Sequence, residues 1–376
     1  MLVTQGHQLA AVRMEVDGVN IARAKPVIIE KLIRHDNGTG DGQDVDLSSY
    51  IEQWGYMGPL LMAYYNFYRM DMYAMLMEFA TGPGKAEPRA LRLHHACASV
   101  DYDTGRVTFL NGVTATHDLI VGADSIGVSS SAPRTSASIN QYALTVRRPP
   151  HPRIFLGKKR ETSTSYHRII PTSEIHRLNL STPPRNGLEY WGGQGLDKII
   201  AAACRNGDIH SFYTFFPLTN SSSAGEGWNF AGTREQLQAP FSKLDPTLRA
   251  LFDHAVDIKP WNLCVHSLYP YWTKGRTCIM GDAARSMLPD QSQGACQAIE
   301  DAAALEIIFG PLYSYTTDVG AGLRLYEQIW KPRTSKVQAA SARARVDLSE
   351  RIDFSSQKGS KLYEVADKNK KLTIEV

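Results

Sequence analysis

Cysteine is scarce in this chain, and long apolar runs are missing. The 376 residues include five cysteines, and no two of them form the C-x-x-C pair typical of zinc sites and redox dithiols. We expect free, mostly buried thiols in a reducing, cytoplasmic environment. No stretch approaches the roughly 20 apolar residues of a membrane span, and the opening residues lack the pattern of a secretory signal.

An excess of charge of either sign is also missing. Lys and Arg number 41 and Asp and Glu number 38, with no basic stripe interleaved with aromatic residues. This balance argues against a nucleic-acid partner. No G-x-S-x-G motif and no histidine spacing typical of a metal site occurs, so a hydrolase is poorly supported.

What is present predicts a globular α/β protein of two connected domains. Helical spacing of apolar residues predicts a helix over 68–79, and alternation around two turn signals predicts a β-meander that leads into a buried strand over 119–121. Short β-like runs between about 140 and 270 predict a mixed sheet. A strand, loop and long helix follow from 277, and a last helix covers 323–348.

The strand-loop-helix unit carries the chemistry. Gly281 and Asp282 follow the apolar strand over 278–280, where a short acid at the carboxyl end of a strand can accept hydrogen bonds from a sugar-like hydroxyl. Gly294 and Ala295 open the helix, where a small side chain lets a planar ligand approach amides that favour negative charge. Pro289 keeps the intervening loop non-helical. A Gly-Asp pair alone is more often a helix-capping turn, so the wider pattern decides.

That wider pattern, GDAARSMLPDQSQGACQAIEDAAAL, resembles the second FAD motif of the salicylate hydroxylase-like aromatic-ring monooxygenases, G-D-A-A-H-x-M-x-P-x-x-G-Q-G-x-x-x-x-x-E-D-A. The resemblance implies that Asp282 holds the ribityl chain of FAD. It also implies that Pro289, Gly294 and Ala295 line the flavin ring.

Two further segments resemble the same family. HDLIVGADSIGVSSSAPR is similar to D-L-V-I-G-A-D-G-x-x-S, which implies that Asp124 helps to bind the phosphate side of FAD. YRMDMYAML is similar to H-R-A-D-L-x-x-x-L, which implies that Arg69 contacts the cofactor through its planar guanidinium. Taken alone, Arg69 would be interpreted as a surface residue of an amphipathic helix. With the closing segment YEQIWKPRTSKVQAASAR, the resemblance spans residues 60 to 346.

For the substrate, YHRIIP resembles the Y-R-G-x-x-P strand of fungal ring-hydroxylating members. This implies that Arg168 holds a substrate phenolate, since a neighbouring cation lowers the pKa of a phenol. An exposed strand arginine is an equally good interpretation of Arg168. The companion tyrosine of those members falls near Ala201 here, so that partner is missing.

Several positions depart from the family pattern. The chain contains no G-x-G-x-x-G, the motif that grips the FAD pyrophosphate, so we expect either an upstream extension or weak FAD binding. Ser125 and Ser292 replace glycines, and Arg285 replaces the histidine of G-D-A-A-H. A serine that needs positive φ or lies against a ligand costs on the order of 1 kcal/mol.

We therefore predict an incomplete Rossmann-like FAD-binding domain (1–140 and 265–350), a mixed β-sheet substrate domain (141–264), C-terminal helices and a tail (351–376). The family implies FAD, NAD(P)H as co-substrate, and hydroxylation of an electron-rich aromatic or enolic small molecule, as in secondary metabolism. Two alternatives remain. One is a catalytically silent paralogue that binds a small molecule, and the other is a flavin epoxidase of prenylated substrates.

Overall fold

The computed structural model describes residues 2–3, 21–35, 42–46, 64–83, 89–123, 160–180, 185–191, 198–217, 232–239, 241, 244–265, 268–311, 313 and 315–345. The α-helices of this part are α1 (Arg69–Thr81), α2 (Thr172–Arg177), α3 (Arg234–Gln238), α4 (Pro246–Asp253), α5 (Gly294–Phe309) and α6 (Val319–Ala344). Its strands are β1 (Leu2–Val3), β2 (Val27–Ile29), β3 (Lys31–His35), β4 (Gly42–Asp46), β5 (Tyr64–Asn66), β6 (Cys97–Asp101), β7 (Arg106–Phe109), β8 (Thr114–Thr116), β9 (Ile120–Gly122), β10 (Arg160–Pro171), β11 (Gly187–Trp191), β12 (Lys198–Cys204), β13 (Ile209–Pro217), β14 (Val256–Val265), β15 (Thr273–Lys274) and β16 (Thr277–Ile279).

Side-chain caps fix the starts of three helices. Asp245 accepts a hydrogen bond from the backbone N–H of Leu248 at 3.0 Å and precedes the proline that opens α4. Thr233 begins α3 with a capping box, and Asp318 accepts from Ala321 N at 2.9 Å at the start of α6. Each cap satisfies backbone donors that have no partner inside the helix, so these starts are encoded locally.

A seven-stranded sheet dominates the middle of the chain. Its order is β14-β10-β13-β12-β11-β3-β4, and every neighbouring pair is antiparallel except β11 and β3. The predicted mixed sheet is therefore present. Residues 31–46 were expected in the cofactor domain, but β3 and β4 pair into this sheet through β11.

Alternation along the strands gives this sheet two distinct faces. Arg168 pairs with Phe212 across β10 and β13, and their side chains point to the rear face, which α2, α3 and α4 cover. His167 pairs with Tyr213 on the opposite, front face. The rear core combines strand and helix residues: Tyr166, Ile170, Ile199 and Phe212 with Ile175, Leu237, Leu248, Leu251 and Phe252. Burying each large apolar side chain contributes about 1.5–3 kcal/mol, so the rear face anchors the sheet.

A smaller sheet of β15, β16 and β9 supports the strand-loop-helix unit. Strand β16 is buried throughout and runs parallel to β9, and α5 and α6 pack nearby around Trp272 and Tyr326. The predicted strand over 119–121 is present as β9. Its predicted burial is wrong, because Val121 is 37 % exposed.

Two further predicted elements lie in the first third of the sequence. The meander is confirmed as β6, β7 and β8, which are antiparallel and share a small core of Val100, Tyr102 and Val107. The predicted helix over 68–79 is α1, whose Met72 and Met75 pack with Cys296 of α5. This shared core places the first two turns of α1 near the start of α5. No helix in the described ranges combines the length and apolar character needed to cross a membrane.

Candidate functional site

The turn after β16 has a backbone conformation that suits glycine. Gly281 has φ of +59° and opens a 3-10 turn over Gly281–Ala283. Its N–H donates to Oδ2 of Asp301 in α5 at 2.7 Å. Because the next residue is Asp282, this hydrogen bond holds the backbone that carries the Asp282 carboxylate.

Arg285 contacts Asp301, the carboxylate that holds the Gly281 backbone, from inside the protein core. Its guanidinium forms an ion pair with Asp301 at 2.8 Å and lies over the ring of Trp272, with 5.4 Å from Cζ to the ring centroid. Burial, and then the charge of Asp301, raises the pKa of Tyr326 far above its ordinary value. The arginine that replaces the family histidine is thus a buried support of the Asp301 carboxylate.

Asp282 and the start of α5 lie side by side. An ideal Cβ added to Gly294 would lie 3.8 Å from Oδ1 of Asp282, and no other described heavy atom outside its neighbours and its own helix comes within 4 Å. Burial raises the pKa of Asp282, Arg285 opposes that shift, and Asp301 adds to it. Among the described residues no donor is hydrogen-bonded to this carboxylate. No side chain caps α5 at Gln293.

These observations test whether the chain fits the flavin end of FAD. A desolvated acceptor without a donor suits a ligand hydroxyl, and a glycine at an uncapped helix start leaves its amides accessible to a ring that carries negative charge. Ser292 has a left-handed backbone, with φ of 55°, at the position where the family has glycine. The residues of this turn therefore fit the group, with local strain at Ser292.

The loop between the turn and α5 is held from both sides. Asp290 forms ion pairs with Lys198 of β12 at 2.5 Å and with Arg345, just beyond α6, at 2.8 Å. Gln338 donates to the backbone carbonyl of Ser286 at 2.8 Å. Pro289 is exposed within this loop and Ala295 is partly buried after it. The loop is thus fixed between the front face of the sheet and the last helix.

A row of aromatic and polar side chains, formed by His167, Ser211 and Tyr213, lies on the front face of the seven-stranded sheet. The His167 and Tyr213 rings stack with 4.4 Å between centroids, and His167 Nε2 is 3.0 Å from Ser211 Oγ. Tyr213 is 37 % exposed although it belongs to an inner strand. Burial raises the pKa of its phenol to about 12, with a smaller opposing effect of the Arg69 charge. The Tyr213 ring is therefore accessible to a ligand on the front face.

Arg69 approaches this row from the first turn of α1. The helix start is anchored to the sheet by Arg205, which makes two hydrogen bonds to Asp71 at 2.8 and 2.6 Å and lies over the Tyr68 ring. Arg69 itself is exposed. The predicted cofactor residues Asp282, Pro289, Gly294 and Ala295 thus lie on one turn-loop-helix segment, while Arg69 lies near Tyr213. Asp124 lies outside the described residues.

Arg168 does not lie with them, which corrects its predicted orientation. Its side chain is fully buried on the rear face, with Cζ 3.1 Å from the centroid of the Phe252 ring and 5.1 Å from that of Phe212. None of its guanidinium nitrogens has a hydrogen-bond partner within the described ranges. Burial lowers its pKa well below the ordinary value. A group enclosed beneath α4 cannot touch a ligand on the front face.

The sequence interpretation missed His167, Tyr213 and Lys198. For His167 a signal existed, because counting Y-R-G-x-x-P from Tyr166 to Pro171 puts the arginine position at His167. Strand alternation gives the same answer, since Arg168 shares the face of the apolar Ile170. Lys198 and Asp290 are 92 residues apart and carry no local signal of their pairing.

Several known proteins resemble this chain in sequence. Residues 176–341 match the model of a family described as FAD binding domain. An FAD-dependent monooxygenase of Aspergillus candidus is 28 % identical over 286 residues, which cover 74 % of this chain and 62 % of that protein. Hispidin-3-hydroxylase of Neonothopanus nambi is 29 % identical over 289 residues, covering 73 % and 64 %. The chain thus spans less than two thirds of the length of either relative.

Solved structures share the fold. The HpxO protein of Klebsiella pneumoniae, in complex with FAD and uric acid, superposes with a TM-score of 0.67 at 19 % identity, covering 97 % of this chain and 81 % of that one. A salicylate hydroxylase substrate complex gives a TM-score of 0.63 at 19 % identity, covering 92 % and 80 %. At these identities the likeness concerns the fold.

Proposed function

We propose that the chain is an FAD-dependent aromatic-ring monooxygenase, which hydroxylates an electron-rich aromatic or enolic small molecule with NAD(P)H and O₂. The observation that carries the proposal is the Asp282 carboxylate beside the uncapped start of α5. Secondary metabolism is the setting that the family resemblance implies.

In this proposal the residues of the turn bind and orient the cofactor. Asp282 accepts a hydrogen bond from a cofactor hydroxyl, the amides of Gly294 and Ala295 face the ring, and Pro289 opens the 3-10 turn (Pro289–Gln291) of the intervening loop. Arg69 approaches from α1, and Asp124 stays a predicted contact on the phosphate side. The chemistry that FAD supplies when bound is electron transfer from NAD(P)H to O₂.

The front face supplies the substrate side. We assign the activating role, first predicted for Arg168, to His167, because His167 Nε2 lies on the front face beside Ser211 and the Tyr213 ring. An imidazole can take the proton of a substrate hydroxyl there. Tyr213 remains a neutral O–H donor near pH 7, since its pKa is about 12. The planar His167 and Tyr213 rings suit an aromatic ligand, consistent with relatives named for hispidin and 6-hydroxynicotinate.

FAD titration tests the cofactor half. We expect wild-type protein to bind FAD with quenching of flavin fluorescence, and Asp282→Asn to bind at least tenfold more weakly, because a charge-assisted hydrogen bond contributes about 1.5–3 kcal/mol. Asp118→Asn is the matched control, since the Asp118 side chain is 94 % exposed. Wild-type protein that stays colourless in excess FAD would favour the silent small-molecule-binding scaffold.

The pair His167→Gln and Arg168→Met tests the substrate half. With salicylate, 6-hydroxynicotinate and hispidin as probes, we expect His167→Gln to lose at least tenfold in kcat/KM for the best probe, with a changed pH profile. Arg168→Met should stay within about twofold, because its side chain lies on the other face. The reverse ranking of the two variants would return the role to Arg168.

A further inference from the structure

The turn between β12 and β13 has an unfavourable backbone. Arg205 has φ of 50° and Asn206 has φ of 55°, both in the left-handed region. Asparagine tolerates this conformation, whereas an arginine in it is strained. Two hydrogen bonds hold the turn from outside. Asn206 N donates to the carbonyl of Lys25 at 3.1 Å, and Thr172 Oγ1 donates to the carbonyl of Gly207 at 2.5 Å. Formation of the turn alone therefore does not explain an arginine at position 205.

The side-chain contacts of Arg205 give a reason for it. Its Nε and Nη2 donate to the two carboxylate oxygens of Asp71 at 2.8 and 2.6 Å, and its Cζ lies 4.8 Å from the centroid of the Tyr68 ring. Tyr68 and Asp71 flank Arg69 at the start of α1. A planar guanidinium that donates two parallel hydrogen bonds to a carboxylate fixes its angle as well as its distance. The first turn of α1 is thus held in one orientation against the sheet.

Stability is a weak explanation of the ion pair between Arg205 and Asp71. Their side chains are 35 % and 17 % exposed, and an ion pair that water reaches adds little to the free energy of unfolding. The left-handed backbone at Arg205 subtracts from that small gain. Strained residues of this kind are found at functional sites, where the strain holds a geometry that function requires. The pair therefore matters more for geometry than for stability.

The geometry that this ion pair fixes lies beside the proposed site. Tyr68 and Arg69 lie near the phenol of Tyr213 on the front face, where their charges act on that phenol. The residue after Asp71 in α1 is the buried Met72, which packs in one cluster with Cys296 of α5. The first turn of α1 thus contacts both the front face and the start of α5.

We infer that Arg205 and Asp71 are positioning residues for Arg69, which they hold in the place where it meets the bound FAD. The inference rests on the proposed function. Without the ion pair, the first turn of α1 loses its tie to the sheet. Arg69 then has to be ordered when FAD binds, and this ordering weakens binding. Arg205 acts through Arg69, since its own fork is taken up by the Asp71 carboxylate.

The test is a double-mutant cycle on FAD affinity, measured by quenching of flavin fluorescence. Arg205→Asn removes the guanidinium and leaves a residue that tolerates the left-handed turn, so the fold should be retained. We expect Arg205→Asn to weaken FAD binding about fivefold and Arg69→Met to weaken it at least about tenfold in the wild-type background. In the Arg205→Asn background, Arg69→Met should weaken binding by less than about threefold, because the two residues act as a unit.

The matched control is Arg177→Met in the rear helix α2. Arg177 binds the Glu174 carboxylate with the same two distances, 2.8 and 2.6 Å. Because that ion pair lies within one helix on the rear face, its loss should leave FAD affinity within about twofold of wild type. Urea unfolding of FAD-free Arg205→Asn should give the wild-type midpoint or a higher one. If Arg205→Asn fails to fold, Asp71→Asn carries the cycle.

The outcomes separate this inference from the proposed function. An equal effect of Arg69→Met in both backgrounds would overturn the inference alone, and so would wild-type FAD affinity in Arg205→Asn or in Arg69→Met. Wild-type protein that cannot be loaded with FAD would overturn the proposed function together with the inference.

Discussion

The two faces of the seven-stranded sheet differ in whether their buried polar side chains have partners among the described residues. On the front face Lys198 meets Asp290, and the pair is reinforced by Arg345. On the rear face Arg168 lies among phenylalanine rings without a carboxylate, and His210 is 2 % exposed with no partner for Nδ1 among the described residues. The difference teaches that charge is retained where it is paired beside the proposed site, while the rear face favours neutral groups.

The largest expected effect on stability comes from removing the carboxylate of the front-face ion pairs. Asp290→Asn removes the carboxylate and leaves two buried cations, so the free energy of unfolding should fall by about 3–5 kcal/mol. Urea denaturation of FAD-free protein measures this change. Asp118→Asn, at an exposed position, should change it by less than about 0.5 kcal/mol. Equal stability of Asp290→Asn and wild type would mean that the charges are not paired.

A second, smaller effect concerns pH and the rear face. Burial, and then the charge of His176, lowers the pKa of His210 to about 4. The unfolded state therefore binds more protons between pH 6.5 and 4, and stability should fall as pH falls through that window. The loss approaches about 3 kcal/mol, at 1.36 kcal/mol per pKa unit.

His210→Phe removes that titration and serves as the comparison. The difference in unfolding free energy between pH 7 and pH 4.5 should be smaller in His210→Phe than in wild type, whatever the absolute stability of the variant. Chemical denaturation at both pH values measures it. An unchanged difference would show that His210 does not stay neutral in the fold.

The smallest expected effect is a gain in stability, whereas the two effects above are losses. Arg168→Met replaces an unpaired, fully buried guanidinium by an apolar side chain and should stabilise the protein by about 1–3 kcal/mol. Arg285→Met is the matched contrast, since Arg285 is equally buried but paired with Asp301, and it should destabilise. A destabilised Arg168→Met would reveal a partner for this guanidinium and erase the contrast between the faces.

Much of the fold could be predicted from local patterns. Turn signals at Gly105 and Gly112 mark the meander, and both glycines have positive φ. The strand, loop and helix around Asp282 follow from an apolar run, a proline and a glycine in order. These features depend on neighbours in sequence, so one chain suffices to find them.

The other features of the fold and of the candidate site depend on contacts between residues that are far apart in the sequence. No local pattern shows that β3 pairs with β11, more than 150 residues later, because parallel pairing requires only two apolar strands that meet. The orientation of Arg168 was decidable from strand alternation, and the prediction was wrong because it matched the family arginine to Arg168 without counting the motif from Tyr166. The pairing of Arg285 with Asp301 likewise needs the turn and helix α5 placed together.

The central claim is that Asp282 and the start of α5, which lie side by side, together line the site of the bound flavin, and Gly294→Val tests it most directly. Gly294 has space for a side chain apart from the Asp282 carboxylate. The FAD-free variant should therefore unfold at the wild-type urea concentration or above. We predict that FAD affinity, measured by fluorescence quenching, falls at least a hundredfold. Wild-type affinity in a folded Gly294→Val protein would contradict the account.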